Sequence, residues 1–285
     1  MFSQICSSAI ENEAEYLMPA DTITSIRLRA PLFSIKRFVA RVLCHPQVGR
    51  IIALIFRDRI PSRGVVIDTG SSSVEPWVKA SLFWGIYESA EVRFVKKHLR
   101  GDLDVIELGS SLGVVTSQIS LKLHPQKRIV CVEANPALLE TLQKNVSRNC
   151  SGRNVTIVHG AISDAESESG FINLAIGEDT TASRVTEQVS KNSVRVPALT
   201  LKKVLESQSI TGDFVLVSDV EGAEVNFIGN ENDALRHCQQ MIIELHETDW
   251  KGTLLTVEQL RSRLERLHGF QLVESYGPVC VFARS

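Results

Sequence analysis

The residues best placed to do chemistry fall in four short segments. The first, Glu107-Leu108-Gly109-Ser110-Ser111-Leu112-Gly113, sets an acid and two glycines at the end of an apolar run. At a strand-to-helix junction, glycines let the backbone pass close to a ligand, and the helix N-terminus offers free N–H groups to carboxylate or hydroxyl oxygens. The spacing departs from the dinucleotide fingerprint G-x-G-x-x-G, because Ser111 stands where a second glycine would let a pyrophosphate approach. The second segment holds Glu133, 20 residues beyond Gly113, where an acid can accept hydrogen bonds from both hydroxyls of a ribose. The pair fits an adenosine-containing ligand without a pyrophosphate. The competing expectation makes Glu133 an exposed acid that starts a turn.

The other two segments are Ser218-Asp219-Val220-Glu221-Gly222-Ala223-Glu224 and Glu244-Leu245-His246-Glu247, each following an apolar run. Acids and a histidine at the carboxyl ends of adjacent parallel strands converge on the crevice where open α/β sheets bind ligands. Asp219, Glu221 and His246 are therefore expected in a catalytic site. For a hydroxyl substrate His246 is the first choice of base, and Glu221 or Asp219 is the next, acting directly or by orienting the ring. Blander roles are Asp219 as a helix N-cap and His246 as a turn residue. Glu224 is expected on a solvated helix face. With no H-x-H or D-x-D pattern near these segments, no metal is expected.

These segments need a parallel sheet to hold them, and the chain from Leu103 onward alternates short β-branched runs with helical periods. Strands are expected over 104–108, 128–133, 155–158, 214–217 and 241–245. Helices are expected over 114–123, 137–149 (with Pro136 in its first turn) and 257–267, the last closing at Gly269. The polar insert 164–211 contains two candidate strands, 171–175 and 194–199, and a loop at 177–183 that could cover a site. The final runs 270–273 and 279–283 read as an antiparallel hairpin around Tyr276-Gly277-Pro278. A dinucleotide dehydrogenase sheet normally continues in parallel.

Composition bounds the rest. The chain has 285 residues, 44% of them hydrophobic and 22% charged, with a formal net charge of -2. No basic field would hold a polyanion, so a small molecule or glycan is the expected partner and nucleic acid is not. The six cysteines form no C-x-x-C pair, and Met1 to Tyr16 lacks the basic start and apolar run of a secretory signal. Free thiols and a cytoplasmic location are expected. Residues 38–56 are the most apolar stretch, but Arg41, His45, Pro46 and Arg50 interrupt it, so it cannot span a bilayer. It is expected to pack on the protein or to lie on a membrane surface as a peripheral contact. The turn-rich run Ile60-Pro61-Ser62-Arg63-Gly64 suggests a helical extension over 1–64 and a main domain over 65–285, with an oligomer possible.

In order and spacing, ELGSSLG, CVEANP, SDVEGAE and IIELH resemble the FkbM family of S-adenosylmethionine-dependent methyltransferases. The upstream Phe83-Trp84-Gly85-Ile86-Tyr87-Glu88 is similar to an aromatic-Tyr-Glu segment of that family. The resemblance covers about residues 80 to 285. It implies an α/β, Rossmann-like class I methyltransferase sheet, mostly parallel with a C-terminal antiparallel hairpin, and S-adenosyl-L-methionine as cofactor. It implies that Glu107, Gly109, Ser110 and Gly113 shape the cofactor turn, that Glu133 binds the ribose, and that Ala161 and Ile162 lie near the adenine. Tyr87 joins the cofactor set, and Asp219 and Glu221 border the methyl group and acceptor. O-methylation of a sugar, glycan or secondary-metabolite hydroxyl follows from the same resemblance. Ser218, in place of an apolar residue, and Leu201-Lys202-Lys203, in place of an L-D-x-L acid, depart from the pattern. A noncatalytic nucleoside-binding scaffold and a nicotinamide oxidoreductase are the rival readings.

Overall fold

The computed structural model describes residues 41–163, 170–177, 183–186, 193–229 and 233–284, and the chain divides into two compact units, 1–89 and 90–285. In the first unit, helix α1 (Pro46–Phe56) opens on a proline, with His45 Nδ1 accepting from Gln47 N at 3.2 Å. Strands β1 (Arg59–Ser62) and β2 (Val65–Asp68) pair antiparallel about Arg63 and Gly64, both at positive φ (48° and 92°), as a two-residue hairpin turn requires. The Ile60–Gly64 run thus turns a hairpin inside the first unit, while the units divide after Ser89. Helix α2 (Pro76–Phe83) crosses α1 at Gly49, where a Cβ would lie 1.6 Å from the Pro76 carbonyl oxygen. Away from that contact, α1 exposes Ile51, Leu54 and Ile55, Leu54 at 81%. Among the described residues no helix is long and apolar enough to cross a membrane.

Helix α3 (Ser89–His98) leads into the second unit. There the chain runs through β3 (Asp104–Leu108), α4 (Val114–Lys122), β4 (Arg128–Glu133), α5 (Leu139–Asn149) and β5 (Asn154–His159). An insert follows, with β6 (Ala161–Ile162), β7 (Phe171–Ile176), β8 (Ser183–Thr186) and β9 (Ser193–Leu199), and then α6 (Leu201–Ser207). The chain closes with β10 (Phe214–Ser218), α7 (Val225–Ile228), β11 (Cys238–Glu244), β12 (Thr248–Trp250), β13 (Thr253–Leu255), α8 (Val257–His268), β14 (Gln271–Tyr276) and β15 (Val279–Ala283).

The main sheet has the order β14-β15-β11-β10-β3-β4-β5. The five strands from β11 to β5 are parallel, and β15 is antiparallel to both β11 and β14. This is the mixed α/β architecture expected from the sequence, including the terminal hairpin with one reversed strand. Strand β10 is buried at every residue because helices cover both faces of its sheet. On one face Ile106, Leu108, Leu216 and Ile243 join Val204 of α6 and Leu264 of α8 in one core. The chain winds outward from β3 through β4 to β5, then returns to the other side of β3 with β10 and β11. The order reverses between β3 and β10, which is where a doubly wound sheet opens its ligand crevice.

Several local expectations shift. Helix α5 starts at Leu139 rather than Ala137, because the Asn135 side chain accepts from Ala137 N at 3.0 Å and holds Pro136 in a turn. The insert forms its own sheet, in the order β6-β9-β7-β8. Of the loop expected at 177–183, residues 178–182 lie outside the described residues and Ser183 belongs to β8. Helix α6 and the β12–β13 hairpin were not anticipated. Thr200, which caps α6 by accepting from Lys203 N at 3.1 Å, and Lys251-Gly252, both at positive φ, were the available signals. Five of the six cysteines lie in the described region, all buried free thiols; Cys6 lies outside it.

Candidate active site

The turn after β3 is wedged between its neighbouring strands. Gly109 N and Ser110 N donate to the Val132 carbonyl of β4, at 2.9 and 3.1 Å, and Asp219 N donates to the Leu108 carbonyl at 2.9 Å. Gly109 has φ 83°, and a Cβ there would sit 1.7 Å from the Asp219 carbonyl oxygen, so the approach of the two chains admits only glycine. Ser111, itself at φ 46°, turns its N–H onto Glu133 Oε2 at 2.7 Å, and Asn135 N donates to Oε1 at 2.6 Å.

Glu133 is therefore not an exposed strand-end acid: it is 6% exposed and ties the glycine turn to the loop after β4. Burial pushes its carboxyl up, and the backbone N–H groups of Asn135, Ser111 and Ala134 act against that. Each carboxylate oxygen keeps lone-pair capacity beyond its one backbone bond, enough for the two hydroxyls of a ribose. A glycine that brings the backbone close, a helix N-terminus and an acid with acceptors to spare form a donor and acceptor set that fits S-adenosylmethionine.

Glu107 does different work. It is buried at 2% exposure under Thr116 of α4, whose Oγ1 donates to Oε2 at 2.5 Å. Burial pushes its carboxyl up to about 7, despite the hydrogen bonds from Thr116, Cys131 and Ser110. It thus fastens the start of α4 to β3. Relative to the ordinary 4.5, the folded chain holds an extra proton on Glu107 between pH 4.5 and about 7. Its stabilising contribution is full below that window and is lost as pH rises through it, by about 3 kcal/mol in all. Urea unfolding at the two ends of the window should show this decline, and Glu107→Gln, which cannot ionise, should flatten it. Equal declines in the two proteins would refute the assignment.

Across the crevice, His246 follows β11 and is 17% exposed. Its Nδ1 lies 2.9 Å from Oε1 of Glu224, a side chain with no exposed surface. Glu224 was expected on a solvated face, and this is a correction. Residues 221–224 form a turn rather than a helix and α7 begins only at Val225, so Glu224 points inward. Nor does Asp219 cap a helix. His246 Nε2 faces Glu221 Oε2 and Glu244 Oε1, both at 3.7 Å, and Asp219 Oδ1 at 3.9 Å.

Burial pushes Asp219 up to about 8, with the Glu221, Glu91 and Glu224 charges adding to the rise and His246 opposing it. Glu244 is raised well above its ordinary range by burial and by Asp219 and Glu91. Burial pulls His246 down, but the Glu224 hydrogen bond and the charges of Glu224, Asp219 and Glu221 outweigh it and raise the ring to about 9. The imidazole and the carboxyls thus share protons as one unit.

The fold brings Asp219, Glu221 and His246 together beside the glycine turn. Ala161 and Ile162 lie past the end of β5, both buried in β6 and paired with Ala198 and Leu199 of β9. Tyr87 belongs to the first unit, where its N–H donates to the Ser81 carbonyl at 3.3 Å. Sequence reasoning missed Glu91, which hydrogen-bonds Glu244, and Arg184, whose guanidinium reaches Glu221 Oε2 at 3.3 Å from the insert. Glu91 sits in an amphipathic helix and Arg184 in a polar insert, with no local pattern to mark either.

The Methyltransferase FkbM domain family matches residues 111–272. No curated protein matches the sequence. Similar solved structures include the precorrin-6y C5,15-methyltransferase of Geobacter metallireducens GS-15, at 17% identity over 68% of this chain and 87% of that one, with a TM-score of 0.38. A protein of the NADB-Rossmann superfamily from Streptococcus agalactiae is 11% identical over 68% of each chain, with a TM-score of 0.41. Aeropyrum pernix fibrillarin, with natively bound S-adenosyl-L-methionine, is 14% identical over 64% of this chain and 66% of that one, with a TM-score of 0.35. The family match spans more than half of the sequence and takes in Ser111, Gly113, Glu133, the 218–224 turn and His246, and the chain belongs to the FkbM family of S-adenosylmethionine-dependent methyltransferases.

Proposed function

We propose that the chain methylates a hydroxyl oxygen on a sugar, glycan or secondary metabolite, seated against Asp219, Glu221 and His246. The observation that carries this reading is the His246 ring, with Nδ1 fixed by the buried Glu224 and Nε2 turned toward Asp219 and Glu221. It stands beside the glycine turn, because Asp219 is hydrogen-bonded to Leu108.

S-adenosylmethionine supplies an electrophilic methyl group on a sulfonium, whose sulfur keeps the bonding electron pair and leaves as a neutral thioether. The protein therefore needs no acid for the leaving group. Glu133 and the glycine turn hold the nucleoside, fixing where the methyl lies relative to the acceptor. The unit of Asp219, Glu221 and His246 accepts a hydrogen bond from the acceptor O–H and takes up its proton as the oxygen bonds to carbon. Ala161 and Ile162 supply apolar surface for the adenine.

The test is a matched pair of small acceptors that differ only in carrying a hydroxyl or an amine, incubated with the donor and analysed by mass spectrometry. Methyl addition to the hydroxyl compound, lost in Asp219→Asn, is the expected result. Transfer to the amine alone would sink the O-methylation reading and leave the donor site standing.

A further inference from the structure

Four carboxyl groups face the His246 imidazole at the ends of β10 and β11, those of Asp219, Glu221, Glu224 and Glu244, and Glu91 of α3 adds its charge to Asp219 and Glu244. The three oxygens facing His246 Nε2, at 3.7 to 3.9 Å, are too far for hydrogen bonds. Each lies within about 1 Å of the separation from Nε2 that two ligands of one small ion keep. A small divalent ion bound at about 2.1 Å keeps neighbouring donor atoms about 3 Å apart, so side-chain adjustments of under about 1 Å would close the set. Asp219, Glu224 and His246 each offer a ligand atom, all within 4.8 Å of one another.

Two further observations point to a cation rather than to a solvated acidic patch. Asp219 Oδ1, one of the three oxygens facing Nε2, is buried without a hydrogen-bond partner. Buried carboxylate oxygens left without a donor are costly, and a metal ion satisfies them. The imidazole is also oriented for ligation. With Nδ1 held on Glu224 Oε1, Nε2 is the nitrogen that faces the three oxygens, and an ion bound there would displace its proton; metal-binding histidines are held in this way by a carboxylate behind the ring.

We propose that the cluster binds one divalent cation through His246 Nε2 and the carboxylates of Asp219, Glu221 and Glu244, with Glu224 fixing the ring. The inference rests on the acceptor reading of this crevice and deepens it: the ion would hold the acceptor oxygen and make its O–H more acidic, and a carboxylate beside it would take the proton. An imidazole among carboxylates suits manganese, iron, cobalt or zinc better than calcium. The absence of H-x-H or D-x-D spacing in the sequence is no guide here, because the ligands come from two strand ends that only the sheet brings together.

The full chain, freed of metal by a chelator, is titrated with Mn²⁺ alone, and free ion is read by electron paramagnetic resonance. S-adenosylhomocysteine binding is measured on the same samples by calorimetry. One Mn²⁺ per chain is expected, with at least tenfold weaker binding in Asp219→Asn and in His246→Ala, and thermal melting to confirm that each variant folds. If a variant fails to fold, Glu244→Gln replaces it. No saturable Mn²⁺ binding, or equal binding by wild type and folded variants, would overturn the cation site. In that case intact S-adenosylhomocysteine binding leaves the donor site standing. Mn²⁺ binding that depends on these residues supports the site even where the nucleoside fails to bind.

Discussion

Glu133→Ala is expected to weaken S-adenosylhomocysteine binding by at least about 100-fold, because a hydrogen bond to a charged group is worth roughly 1.5–3 kcal/mol and a ribose offers two. The substitution removes more than a ligand contact, since Glu133 also receives the N–H groups of Ser111 and Asn135 and so sets the shape of the glycine turn. Glu133→Gln separates the two roles. It keeps one acceptor oxygen in place, so it should hold the turn, as read by thermal melting, while still losing most of the affinity through its missing charge. Calorimetry on wild type and both variants is the check. Near-wild-type binding by a folded Glu133→Ala would show that the ribose lies elsewhere, and no binding by wild type would return the scaffold and nicotinamide readings to the front.

The second large effect belongs to His246. Its replacement by alanine should lower turnover on the true acceptor by about 10² to 10⁴, the usual worth of a proton-accepting unit, whether the ring takes the proton or holds the groups that do, with little change in S-adenosylhomocysteine binding. Truncation also leaves the buried Glu224 carboxylate with only the Gly222 N–H at 3.3 Å, which is destabilising in itself. His246→Gln is the better-behaved companion, because its amide can still donate to Glu224. A folded Gln variant that remains inactive ties the loss to the ring's chemistry. Wild-type turnover by the alanine variant would remove His246 from the mechanism and leave Asp219 and Glu221 as the candidates.

Strands β3 and β4 match the runs read from the sequence residue for residue, and α4 and α8 match to within one residue. Each is marked locally: a β-branched run buried on both faces, a glycine or threonine at the entry, a glycine at the exit. The glycine turn was equally legible, because a close backbone approach demands glycine whatever surrounds it. The terminal hairpin could be read from its turn residues. So could the positions of Asp219, Glu221 and His246, since a parallel strand always delivers its carboxyl end to the same edge of the sheet.

What only the tertiary structure decided is the company those residues keep. Glu224 looked solvated because the sequence gives no sign that 221–224 forms a turn rather than a helix; with the helix delayed to Val225, its side chain points inward to His246. Glu91 and Arg184 carry no local mark, and they reach the crevice from an amphipathic helix and from a polar insert. Local pattern specifies elements because burial and capping act over a few residues. The charge balance of the site, and with it the case for a cation, is a sum over side chains from 91 to 246 that exists only once the sheet has gathered them.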